Sequence, residues 1–155
     1  MLQYSCLAFP ALSIEELYDV MAVRQTVFAV EQDCAYLDAD GKDQVGWHIL
    51  GRDEQGQLQT YARLLPKGIA YTDYPSIGRV LSMKEVRGSG EGRRLMEFCL
   101  TQAQRLWPDQ TVKISAQSYL LDFYQSLGFS VVGEPYLEDG IPHRAMLKKS
   151  PQLVK

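Results

Sequence analysis

Apolar residues recur at every third or fourth position in two long stretches of the chain, and alternate or run together in several short ones. The first helical pattern is Leu17, Val20, Met21, Val23, Val27 and Phe28, opened by Ser13-Ile-Glu-Glu16. That opening is a capping box: the Ser13 hydroxyl accepts from the Glu16 N–H while the Glu16 carboxylate reaches back. Val27–Val30 either ends this helix or begins a loop. The second pattern, Leu95, Met96, Cys99, Leu100, Ala103, Leu106 and Trp107, predicts a helix from about Gly92 to Trp107, stopped by Pro108. A shorter helix is expected over Tyr119–Leu127, closed by Gly128.

Between them lie short β-prone runs. A first strand is expected near Leu2–Phe9, ended by Pro10. Val45–Gly51 and Leu58–Leu65 flank Asp53-Glu-Gln-Gly56, a hairpin turn. Ile77–Met83, Thr111–Ala116, Phe129–Val132 and His143–Lys148 complete the set, with loops over 66–75 and Gly133–Pro142. The order is β-α-β-β-β-α-β-α-β-β. It predicts an α/β (α+β) domain with a mixed, mostly antiparallel sheet flanked by helices, because few of the connections are crossovers. One domain is expected over 1–149, with a frayed tail over 150–155.

Composition narrows the class. With 46% hydrophobic and 23% charged residues, the chain has the make-up of an ordinary globular protein. No run of 18 apolar residues is present and the start lacks a signal-peptide pattern, so neither a membrane partner nor export is expected. Cys6, Cys34 and Cys99 are odd in number, far apart and in no metal spacing, which points to a reduced, cytoplasmic protein. A net charge of −3 argues against nucleic acid as a partner. Any anionic ligand must be drawn by local charge instead.

Such charge surrounds one stretch. Ile77–Met83 gives way to Arg87-Gly-Ser-Gly-Glu-Gly92, and Arg93 and Arg94 open the second helix, with Lys84 nearby. Strand, glycine loop and helix start together suit a phosphate: glycine takes backbone conformations with φ > 0 and permits close approach, and the helix N-terminus offers unpaired N–H groups. No Gly-x-x-x-x-Gly-Lys-Ser/Thr string exists, and the third glycine of a dinucleotide fingerprint falls on Arg93. A nucleotide-binding or dinucleotide oxidoreductase domain is therefore disfavoured. What fits is Arg-x-x-Gly-x-Gly at Arg87, Gly90 and Gly92.

On this motif the chain resembles the GNAT superfamily of N-acyltransferases, whose acyl-CoA pyrophosphate loop has that form. Further strings are similar to its ElaA-like branch: Arg24-Gln-Thr-Val-Phe-Ala-Val-Glu-Gln32, Tyr36-Leu-Asp-Ala-Asp-Gly-Lys-Asp43, Phe123-Tyr-Gln-Ser-Leu-Gly-Phe129 and Glu138-Asp-Gly-Ile-Pro-His143. The resemblance implies splayed central strands, here Ile77–Met83 and Thr111–Ala116, with acetyl-CoA in the gap. Cofactor contacts are then expected from Val80, Leu81, Ser82, Arg87, Gly88, Ser89, Gly90, Glu91, Gly92, Arg93 and Tyr124. The Val80 N–H would meet the acetyl carbonyl, and Tyr124, protonated at neutral pH, would face the thioester sulfur.

Acyl transfer to an amine also needs a base. A lysine-like amine is neutral so rarely at pH 7 that the handicap is about 4.6 kcal/mol. Glu31, His143 and His48 are the candidates, Glu31 first because it lies in the Val-Glu-Gln string of the resemblance. Arg24 and Arg63 are open to an acidic acceptor or to neighbouring carboxylates, the latter favoured. The 33–43 segment fails the EF-hand spacing and reads as a capped, solvated connection, or, by resemblance, as part of the acceptor-side rim. These readings point to an N-acetyltransferase acting on a small-molecule or peptide amine. The alternative is a non-catalytic acyl-CoA sensor on the same scaffold. Sheets of this family often pair, which makes a homodimer an expectation.

Overall fold

A computed structural model of the chain describes residues 1–150. Seven strands, β1 (Gln3–Ala8), β2 (Trp47–Arg52), β3 (Leu58–Leu65), β4 (Ser76–Ser82), β5 (Val112–Gln117), β6 (Ser130–Glu138) and β7 (Ile141–Lys148), form one sheet in the order β1-β2-β3-β4-β5-β7-β6. All neighbours are antiparallel except β4 and β5. Three helices, α1 (Ile14–Arg24), α2 (Glu91–Leu106) and α3 (Leu121–Ser126), cover its faces.

The two-residue period of the strands divides the core. Ile49 of β2 and Ala62 and Leu64 of β3 pack with Leu95, Met96, Cys99 and Ala103 of α2 and Tyr124 of α3. Their neighbours Leu50 and Tyr61 point the other way and pack with Val20 and Val23 of α1. All eight residues of β3 are buried, since helices lie on both of its faces.

The capping box at α1 is present in both directions, Glu16 N–H to Ser13 Oγ at 3.0 Å and Ser13 N–H to Glu16 Oε1 at 2.8 Å. The helix does not stop near Val27. It continues as a π-helical turn over Gln25–Glu31, which carries Val27 into the core and leaves Glu31 at its end.

Two expectations are corrected. The loop assigned to Gly133–Pro142 is the greater part of a β6–β7 hairpin, turning at Asp139 and Gly140, whose φ values of 53° and 75° are both left-handed as a two-residue hairpin turn requires. Gly133 and Pro135 disguised it: they lie in a bulge between the Val132–Ala145 and Tyr136–His143 pairs, and Arg144 donates to the Gly133 carbonyl at 2.7 Å. The 33–43 segment is no solvated connection either. Asp38 and Asp43 are buried in an ion-paired network described below. At the other end Ser150 is buried, with its hydroxyl on the Pro108 carbonyl and near Gln104. The rest of the expected tail, 151–155, lies outside the described residues.

Candidate active site

β4 and β5 pair through the single residue pair Ser76–Lys113 and then part. The reason lies in β4. Between the Arg63–Gly78 and Tyr61–Leu81 pairs it carries an extra residue, and Arg79 sits there at φ 50°. A bulge bends its own strand away from the flat ladder. The gap becomes a cleft of about 960 Å³. Its apolar floor includes Val27, Phe28, Ile77, Met96 and Ile114, and Arg79, Val80, Leu81 and Ser82 run along one wall.

The glycine loop reaches the cleft through Arg87 and Gly92, which line it, while Gly88, Ser89, Gly90, Glu91 and Arg93 stand outside its lining. Gly88 and Gly90 have φ values of 81° and 85°, conformations that glycine alone adopts without strain, and Gly90 caps α2. The Arg87 and Ser89 N–H groups are bonded back to Lys84 and Val86 carbonyls. Among the described residues, no hydrogen bond takes up the N–H groups of Gly88, Gly90, Gly92 or Arg93. A Cβ on Gly92 would meet only Ser82 Oγ, at 3.9 Å. The side chains of this loop turn elsewhere. The Ser89 hydroxyl donates to the Val86 carbonyl at 2.5 Å, the buried Glu91 carboxylate takes Tyr4 Oη at 2.7 Å and Arg94 at 2.6 Å, and Arg93 donates to Ser126 Oγ at 2.9 Å. What the loop presents is backbone.

Arg87 itself is engaged twice: its Nε donates to the Ser82 carbonyl at 2.8 Å and its Nη2 to Glu31 Oε1 at 2.5 Å. The first bond ties the loop to the end of β4. The second ties it to the π-helical turn, so the carboxylate ranked first as base is held by an arginine.

Tyr124 lines the cleft at 8% exposure, edge-on to Phe123 and Phe129. Burial, with Cys99 and Tyr119 adding to it, pushes its phenol up to about 12. Nothing in the described residues accepts from its hydroxyl. His143 also lines the cleft, stacked on Tyr136. Its Nδ1 lies 2.7 Å from the Ile141 carbonyl, which can only accept, so Nδ1 donates there and Nε2 is the nitrogen that faces outward. Nε2 is 3.5 Å from Glu138 Oε2.

His48 is elsewhere. It is fully buried on the α1 face, with Nε2 donating to the Asp43 carbonyl at 3.0 Å and Nδ1 accepting from Tyr61 Oη at 2.6 Å. Burial lowers its pKa and keeps it neutral. With both nitrogens used and no place in the cleft wall, it is a structural histidine.

The network beyond the cleft's other end was not foreseen in this form. Arg24, wholly buried, holds Asp38 and Asp43, each at 2.7 Å. Arg63 holds Asp43 at 2.8 Å and Asp40 at 2.9 Å, and Arg79 holds Asp38 at 2.7 Å. Tyr36 Oη donates to Asp38 at 3.1 Å and its ring lies against the Arg79 guanidinium. Burial alone would raise the Asp40 and Asp43 pKa values, but the arginines more than offset it and hold both below the usual carboxylate range. The favoured reading of Arg24 and Arg63, pairing with neighbouring carboxylates, is what the structure shows. Arg79 was missed; its one sequence signal was a charge inside an otherwise apolar strand.

A parted parallel pair above a glycine loop and helix start defines the acyl-CoA N-acyltransferase class of fold. Residues 27–150 match the acetyltransferase (GNAT) domain family, and the chain belongs to it. It is 41% identical over 151 residues to the protein ElaA of Escherichia coli, covering 96% of this chain and 97% of that one. A UPF0039 protein of Synechocystis is 43% identical over 150 residues, 97% of each. Among solved structures, E. coli ElaA superposes with a TM-score of 0.90 at 40% identity, over 96% of this chain and all of that one. An acyl-CoA N-acyltransferase from Pseudomonas aeruginosa does so with a TM-score of 0.90 at 41% identity, over 96% and 99%.

Proposed function

We propose that this protein transfers an acetyl group from acetyl-CoA to a primary amine by direct attack. The observation that supports it most is the gap beside β4, which has unbonded loop amides at one end and the Tyr124 hydroxyl inside it. The residues present fit the donor. The N–H groups of Gly88, Gly90, Gly92 and Arg93 hold the diphosphate, with the dipole of α2 behind them. The edge of β4 from Val80 to Ser82, parted from β5, pairs with the pantetheine amides, while the Ser82 carbonyl stays with Arg87. The Val80 N–H polarises the thioester carbonyl, an interaction of a kind worth about 3–4 kcal/mol.

The amine nitrogen bonds to the carbonyl carbon, the C–S bond breaks, and its electron pair leaves on sulfur. The acceptor ammonium first gives one proton to His143 Nε2 through water, where Glu138 steadies the imidazolium, and the proton that the nitrogen sheds after attack passes through water to the departing thiolate. Burial changes the part played by Tyr124. A phenol is already a weaker acid than a thiol, and burial pushes the Tyr124 phenol up to about 12, so full proton transfer to the thiolate is uphill. Tyr124 therefore stabilises the departing sulfur by donating a hydrogen bond, and keeps its proton.

Thiol release from acetyl-CoA across a panel of primary amines tests the reading. Turnover with at least one amine is expected. CoA that binds without any turnover would leave a non-catalytic acyl-CoA sensor, and CoA that does not bind would remove both readings.

A further inference from the structure

Glu31 and Arg87 make an ion pair that both proposed substrates have reason to break. Glu31 ends the π-helical turn on the rim that continues through Gln32, Asp33, Cys34 and Tyr36. Arg87 begins the loop whose amides lack acceptors. The two side chains meet at 2.5 Å on the cleft wall, Glu31 at 23% and Arg87 at 41% exposure. Arg87 is anchored by Nε on the Ser82 carbonyl, which holds its planar guanidinium beside the loop, so Nη2 can exchange one anionic partner for another without the backbone moving. A diphosphate on the loop amides would compete with the Glu31 carboxylate for this guanidinium and carries more charge. An ammonium entering first would meet a neutralised carboxylate, and one entering after the diphosphate would meet a free one.

We propose that the Glu31–Arg87 pair is an exchangeable clasp: the acyl donor takes Arg87, and the released Glu31 becomes the carboxylate that holds the cationic acceptor. This rests on the proposed function and adds to it a coupling between donor and amine through one ion pair. Glu31 is then a binding group for the ammonium, distinct from the proton acceptor. Because linkage is reciprocal, the amine and the donor raise each other's affinity by the same factor.

Glu31→Gln removes the charge and leaves a neutral acceptor for Arg87. Calorimetry with CoA should give a Kd about 3- to 10-fold tighter for the variant. The KM of the best amine from the panel should rise about tenfold, by more than kcat falls. Glu31→Ala should likewise bind CoA no more weakly than the wild type. Equal or weaker CoA binding by Glu31→Gln would overturn the clasp and make the pair a permanent brace, with the acyltransferase reading untouched. Failure of the wild type to bind CoA would instead overturn that reading and the clasp with it.

Discussion

Two regions along β4 handle polarity in opposite ways. On the rim side, Arg24, Arg63 and Arg79 face Asp38, Asp40 and Asp43, and each charge has at least one oppositely charged partner within 2.9 Å. Only the Nε of Arg63 among their buried atoms is left over. On the loop side, four consecutive or near-consecutive amides have no partner in the described chain. A network so nearly satisfied holds its geometry and has little left to offer a ligand. Unsatisfied donors on glycines and at a helix start do the reverse. The comparison separates bracing from binding more clearly than charge does, since both regions are rich in arginine.

Breaking the brace should give the largest effect. Asp43→Ala removes the carboxylate that Arg24 and Arg63 share, leaving Arg24 with Asp38 alone and Arg63 with Asp40 alone, and truncating one member of a buried ion pair typically costs about 3–5 kcal/mol. Urea unfolding should show a loss of that size. A change below about 1 kcal/mol would mean the network is not what holds the rim.

Inside the cleft, Tyr124→Phe should lower kcat about 100-fold, the lower end for loss of one hydrogen-bond donor to charge that develops in the transition state, while CoA affinity in calorimetry stays within twofold. A variant with unchanged kcat would remove Tyr124 from the chemistry. Gly90→Ala tests the loop. Its φ of 85° strains any side-chain-bearing residue by roughly 1–2 kcal/mol, so CoA should bind about tenfold more weakly with thermal stability lowered only slightly.

Acid sharpens the contrast at the smallest scale. The folded pKa values of His48, Asp40 and Asp43 all lie below their unfolded ones. The unfolded chain therefore binds more protons, and the stability these groups contribute is present above the unfolded values and lost as pH falls. Loss should begin below about pH 6.5 with His48 and continue below about pH 3.9 with the aspartates. Tm measured from pH 7.5 to 5 should decline, and less steeply in His48→Gln. A flat wild-type curve would contradict a buried neutral histidine.

Much of this was legible along the chain. Helix starts at Ser13 and the 87–92 loop, the hairpin at Asp53–Gly56 and most strands follow from local rules: capping geometry, glycine freedom and a two-residue period. The β6–β7 hairpin was hidden because Gly133 and Pro135 read as a break, whereas the partner strand absorbs them as a bulge. The same holds for the π-helical turn, where only packing of Val27 shows that the helix goes on.

The sequence by itself determined the order of elements and the place of the glycine loop before α2, because both depend on residues within one turn or one strand of each other. The tertiary structure alone decided which charges are braces and which are free. Glu31 meets Arg87 across 56 residues, Arg79 meets Asp38 across 41, and His48 is removed from the cleft by the face of the sheet it occupies. No local pattern encodes such distances, since a side chain's partners depend on where separate segments dock, and docking is set by the whole core.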